Sequence, residues 1–266
     1  MLRNIFLKSI QDSAKIFLSI FVLFFFTCLM VMYVVSELPM EEFQRIVNLL
    51  PKALIATFSG PEGINLTTPE GVLNTDMFTV FMPLISIGSS IYFGYESIAK
   101  EEENRTLDLI LSSGVSRPSF LIQKLLSLSV KSMIIISTII VSISITGMIF
   151  DLNILMKNVF AICTQLFLVS VTFGFISVFI SVLSSKSSII YGVASGMAIL
   201  SYLIYSLEPF LKDFSFIKYI SFFYYYKGGD PLINGFHSWH WAVFVSTNII
   251  IFLLTMYYWI KRDLDS

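Results

Sequence analysis

Ile16-Phe-Leu-Ser-Ile-Phe-Val-Leu-Phe-Phe-Phe-Thr-Cys-Leu-Met-Val-Met-Tyr-Val-Val35 runs from position 16 to 35 without a charged side chain. A helix needs roughly 20 apolar residues to cross about 30 Å of hydrocarbon, and in lipid it must bond its own backbone groups. This stretch meets the length requirement, and no small-residue cleavage site follows it, so it reads as a retained span. The same test applied outward predicts five more spans, 77–95, 125–150, 159–183, 189–206 and 241–260. The fold class is therefore an all-α polytopic membrane protein with six transmembrane helices. Between the spans lie an outer loop 36–76, an inner loop 96–124 and an outer loop 207–240. The fourth and fifth spans are separated only by Ser184, Ser185, Lys186, Ser187 and Ser188, room for a tight antiparallel hairpin and no domain.

Composition agrees. Of 266 residues, 56% are hydrophobic, 26 are Phe and only 13% are charged, with a mean hydropathy of +0.81. A soluble domain so composed would leave too much apolar surface in water. The net charge of −1 offers no general attraction to nucleic acid. Cys28 and Cys163 both fall inside apolar runs and read as packing thiols.

The basic residues orient the chain, because Lys and Arg are retained on the cytoplasmic side. With the amino terminus inside, the inner set is Arg3, Lys8, Lys15, Lys100, Arg105, Arg117, Lys124, Lys131, Lys186, Lys261 and Arg262. The outer set is the smaller: Arg45, Lys52, Lys157, Lys212, Lys218 and Lys227. Both termini are then expected in the cytoplasm of a multi-pass cell-membrane protein.

No span carries an ionisable group near its centre, which argues against intramembrane catalysis and proton-coupled transport. Lys131 is the one charge well inside an apolar run, close enough to its inner end to snorkel, with substrate contact as the lesser alternative. The chain lacks an H-E-x-x-H zinc pattern, a G-x-S-x-G elbow and a G-x-x-x-x-G-K-[ST] phosphate loop. Any ATP hydrolysis must then occur on another chain, and no metal or cofactor is expected on this one. His237 and His240, beside Trp239 and Trp241, read as interfacial belt rather than metal ligands. Tyr224, Tyr225 and Tyr226 read as belt or as the lining of an exit.

The inner loop is the informative polar segment. Leu107, Ile110 and Leu111 recur at helical spacing while Glu103, Arg105 and Asp108 stay polar, which predicts a short amphipathic helix. Gly114 can end that helix in a left-handed conformation, and Ser116 with Pro118 opens the next. The product is a helical elbow, either a docking element for a partner or a solvated connector. Leu2, Ile5, Phe6 and Ile10, set against Arg3, Lys8, Asp12 and Lys15, predict an amphipathic interfacial helix at the amino terminus. Gly192 and Gly196, four apart, allow close approach of another helix, within the chain or from a second subunit. Pro83 and Gly88 permit a kink in the second span.

Three features together resemble the membrane subunits of type 2 ABC transporters, mostly exporters. One is the inner-loop pattern filled by Glu101, Glu103, Thr106, Leu107, Leu111, Gly114, Ser116, Arg117 and Lys124. Another is Ile220-Ser221-Phe222-Phe223-Tyr224-Tyr225, followed by Asp230-Pro231-Leu232 and Gly235. The third is the ending Lys261-Arg262-Asp263-Leu264. The chain departs from the family where Pro is frequent at position 114 and Gly at position 105.

The resemblance covers residues 1–266 as a single permease domain. It implies that the elbow is a coupling helix, with Glu101, Glu103, Arg105, Thr106, Asp108, Gly114, Arg117 and Lys124 serving contact with a separate ATP-binding subunit. ATP and Mg would be held on that subunit, and two membrane subunits, identical or different, would pair around the path. An ATP-independent carrier or channel, and a membrane sensor or assembly protein, remain as alternatives. Phe- and Ile-rich spans with hydroxyls at Ser142, Ser144, Thr164 and Thr172 suit an amphipathic lipid, peptide or drug as cargo.

Overall fold

The computed structural model describes residues 5–37, 40–51, 55, 64–210, 212–236 and 239–262. Leu2, Arg3, Lys52, Glu62, His237, Asp263 and Leu264 lie outside them. No strand occurs among the described residues, and six helices are long and apolar enough to cross a membrane. In chain order these spans are α2 (Ala14–Glu37), α4 (Pro69–Ser97), α7 (Arg117–Ile149), α8 (Met156–Leu183), α9 (Ser187–Leu207, extended by a turn to Phe210) and α12 (His240–Lys261). The shorter helices are α1 (Ile5–Asp12), α3 (Met40–Val47), α5 (Ala99–Glu103), α6 (Leu107–Ser112), α10 (Phe222–Lys227) and α11 (Pro231–Asn234). The chain is an all-α polytopic membrane protein.

Lipid gives little hydrophobic drive for one span to bind another, so packing follows where backbones can approach. α4 and α8 form the spine. A Cβ on Gly94 would stand 2.5 Å from the Cβ of Ser177 and 2.6 Å from the carbonyl oxygen of Gly174. The Ser177 hydroxyl donates to the Ile91 carbonyl at 2.8 Å, and Ser90 and Ser132 share a 2.8 Å bond that ties α4 to α7. Within their most apolar windows α4 and α8 are 61% and 67% buried, against 22% for α2 and α9 and 17% for α12. The last three therefore present most of their surface outward. α2 packs along α7, α12 along α8, and α1 lies across α7.

Two helices begin well before their expected starts. α7 begins at Arg117 rather than 125, because Ser116 in extended conformation and Pro118 in the first turn start it there. Its 33 residues extend roughly 50 Å at 1.5 Å each, more than the hydrocarbon thickness. α4 begins at Pro69, where the Thr68 hydroxyl caps the Gly71 amide. From Leu73 to Phe81 it widens into a π-helix, and the Met82 amide bonds back to the Met77 carbonyl. Pro83 has no N–H to offer the preceding turn, so the irregularity falls just ahead of it.

Candidate functional site

The elbow joins α4 to α7 as two short helices rather than the one the periodicity predicts. Arg105 breaks them, with φ of +56°, and Gly114 ends α6 with φ of +88°. Left-handed backbone favours glycine, which gives the family's preference for Gly at 105 a physical reason. Leu107 is buried and Ile110 and Leu111 half-buried against the body, while Asp108 and Leu109 face outward. The apolar stripe thus anchors the elbow, and its tip is exposed.

Glu96 and the run Glu101–Glu103 bind it to its surroundings. Glu96 accepts from Lys131 and from Lys100, both at 2.9 Å. Glu101 accepts from Lys124 at 2.7 Å and from the Thr106 hydroxyl at 2.5 Å. Glu102 accepts from Arg262 Nη2 on both carboxylate oxygens, at 2.7 and 3.0 Å. Glu103 accepts from the Tyr95 hydroxyl at 2.5 Å. Burial raises the Glu101 carboxyl, but the Lys124 ammonium and the Thr106 hydroxyl outweigh it and hold the group below its ordinary value. Burial likewise opposes charge on Lys100, yet Glu96 and the Tyr92 hydroxyl raise its pKa. Between α1 and the elbow lies a cavity of about 580 Å³, bordered by Lys8, Asp12, Glu96, Lys100, Glu101 and Lys124.

Of the residues singled out in sequence, Glu101, Thr106 and Lys124 form one cluster. Glu103, Arg105 and Asp108 are exposed. Arg117 points elsewhere, donating to the Arg262 carbonyl at 2.6 Å. Lys131 does not snorkel. It is 2% exposed, paired with Glu96, and sits 4.8 Å from the Phe93 ring. Glu96 and Glu102 were missed as anchors, since their partners stand 35 and 160 positions away.

At the far end of the spans the 207–240 stretch is folded, not a simple loop. α10 and α11 tuck against α8, with Ser221 capping α10 and donating to the Ser201 carbonyl at 2.6 Å. Tyr225 and Tyr226 are buried rather than belt residues, and the Tyr226 hydroxyl donates to the Phe78 carbonyl at 2.7 Å, within the π segment. Asn74 donates to Asp230 at 2.5 Å and accepts from the buried Lys227 ammonium. His240 is buried in ring contact with Tyr224, Tyr225 and Trp239. Among the described residues no cluster of three or more His, Cys, Asp or Glu is placed to hold a metal.

Gly192 and Gly196 meet no atom within 4 Å where a Cβ would stand, so no helix among the described residues fills their face. The close glycine contact is made instead by Gly94 and Gly174. Beside that open face, α4 and α9 enclose an apolar groove of about 180 Å³ lined by Val80, Leu84, Ile87, Ser195, Ile199 and Tyr202.

No curated protein matches the chain. The family model described as "ABC-2 family transporter protein" matches residues 3–258, nearly its whole length. Members are membrane subunits that lack the ATPase site and work with an ATP-binding subunit, which supports the permease reading over a free-standing carrier. A six-span helical body with a charged elbow between its second and third spans, matched over almost its entire length, belongs to the ABC-2 family: the chain is a type 2 ABC transporter permease.

Proposed function

We propose that this permease is half of an ATP-driven exporter, with the elbow as the element on which the ATP-binding subunit docks. The observation that carries this is the elbow's construction. Its tip, with Glu103, Arg105, Asp108 and Leu109, is exposed, while Glu96, Glu101 and Glu102 fasten its root to α7 and the end of α12. A short amphipathic helix so held can fill a partner's groove and pass a push to the spans. ATP and Mg belong on the partner, and this chain holds no cofactor.

The excess of Lys and Arg at the elbow end supports placing that end, with both termini, in the cytoplasm. A second permease, identical or different, pairs across the open Gly192–Gly196 face of α9, and the apolar α4–α9 groove becomes part of the path. Such a lining suits an amphipathic lipid, peptide or drug moving outward better than a small ion.

The test is co-purification of the ATP-binding subunit with the full-length permease. Reversing both tip charges, Glu103→Lys with Arg105→Glu, is expected to lower the amount retained at least tenfold, with the permease still folded. Undiminished retention would sink the docking reading.

A further inference from the structure

The carboxyl end does more than close the last span. Arg262 follows α12 directly, and its Nη2 donates to both carboxylate oxygens of Glu102 on α5. Arg262 also donates to the Ser181 carbonyl at the end of α8, at 3.4 Å. Its own carbonyl accepts from Arg117, the first residue of α7, at 2.6 Å. One turn back, the buried Trp259 indole donates to the Arg117 carbonyl at 2.8 Å, and its ring stacks on Phe120 at 5.7 Å. Both arms of the elbow, α5 on entry and α7 on exit, are therefore fastened to the end of α12.

The contact between α5 and Arg262 is side chain to side chain and charge-assisted: one guanidinium nitrogen, Nη2, bridges the two Glu102 oxygens, while Nη1 turns to the Ser181 carbonyl, so a single side chain spans α5 and α8. Its partners are 20% and 27% exposed, so it is held at the protein surface rather than sealed in the core. Without it, the described bonds of the elbow's acids run only to α4, α7 and the elbow itself.

We propose that Arg262 is a positioning residue that latches the sixth span to the elbow, so that a displacement of α5 driven by the partner ATPase carries α12 with it. This rests on the elbow being the docking element. The latch acts on the coupling of motion and touches neither nucleotide nor cargo.

The test uses the permease bound to its ATP-binding subunit, with spin labels at Asn104→Cys and Ile260→Cys, both exposed, and inter-label distances read by electron paramagnetic resonance. With Arg262 intact, adding Mg-ATP and vanadate leaves the distance unchanged. In Arg262→Ala the distribution broadens and shifts by about 2 Å or more on adding nucleotide, the scale of helix displacements in switching proteins. Arg262→Lys, which keeps the charge toward Glu102 but loses the second nitrogen on the Ser181 carbonyl, falls between. The swap Glu102→Arg with Arg262→Glu restores the native distribution, which a residue needed only for folding would not permit.

An Arg262→Ala distribution identical to wild type, or a swap that restores nothing, overturns the latch. Retained ATPase is measured on the same samples. If wild type binds none, the docking reading falls, and the nucleotide-free distributions of wild type and Arg262→Ala still decide the latch. Should Arg262→Ala fail to fold, Arg262→Lys and the swap carry the same decision.

Discussion

The two ends of the permease are tied down by different chemistry. At the elbow end, side-chain charges join short helices to the spans: Glu96 with Lys131, Glu101 with Lys124, Glu102 with Arg262. At the far end, α10 and α11 are wedged in by buried aromatic rings, with side chains bonded to the backbone of the π segment at Phe78 and Asn74. A pair part-exposed on both sides, as Glu102 with Arg262 is, can break and re-form as water replaces it, whereas the pairs at the buried Lys124 and Lys131, like a buried polar network, leave a partner stranded when one member is lost. The difference teaches which end is built to move. The elbow is held at discrete charge pairs, of which the Glu102–Arg262 contact is the exchangeable one, and the far end is plugged.

Substitutions should separate the two. Asn74→Leu is expected to have the largest effect, about 3 kcal/mol, because it strips hydrogen bonds from Asp230 and from the buried Lys227 together. A lowered unfolding midpoint in detergent, insensitive to salt, is the readout. Lys131→Met should cost less, about 2 kcal/mol, since Glu96 keeps its bond to Lys100. Adding Glu96→Gln is expected to recover part of that loss, and a double variant weaker than Lys131→Met alone would contradict the pairing.

Acid should loosen the elbow first. Glu101 has its pKa below the ordinary 4.5 when folded, so its contribution is fully present above that value and is lost as pH falls below it. Protease accessibility of residues 99–116 should therefore rise below about pH 4.5 before that of 222–235. The smallest effect is a gain. Arg105→Gly removes a left-handed non-glycine and is expected to stabilise by about 0.5 kcal/mol, with a slightly higher midpoint.

What could be read from sequence was whatever depends on composition along one helix. All six spans were legible, because lipid demands long uncharged runs. The elbow was legible as amphipathic helix, and the departure from glycine at 105 fell on a residue that takes positive φ. Three-dimensional pairing was not. The glycines four apart at 192 and 196 face open space, while the isolated Gly94 and Gly174 make the close approach, because which helices meet depends on partners distant in the chain. The tyrosines at 224–226 sit where a belt would, and only the docking of α10 turns two of them inward. Lys131 looked free to snorkel until Glu96, 35 positions earlier, was placed beside it.

The central claim is that ATP bound on another chain moves this one by its elbow. Hydrogen–deuterium exchange on the wild-type permease in complex with its ATP-binding subunit, with and without Mg-ATP and vanadate, tests it directly. The account predicts a nucleotide-dependent change in exchange across 99–116 and at the adjoining ends of α7 and α12, with 222–235 unchanged. Exchange at 99–116 that ignores nucleotide, or a permease alone that responds to ATP, would contradict it.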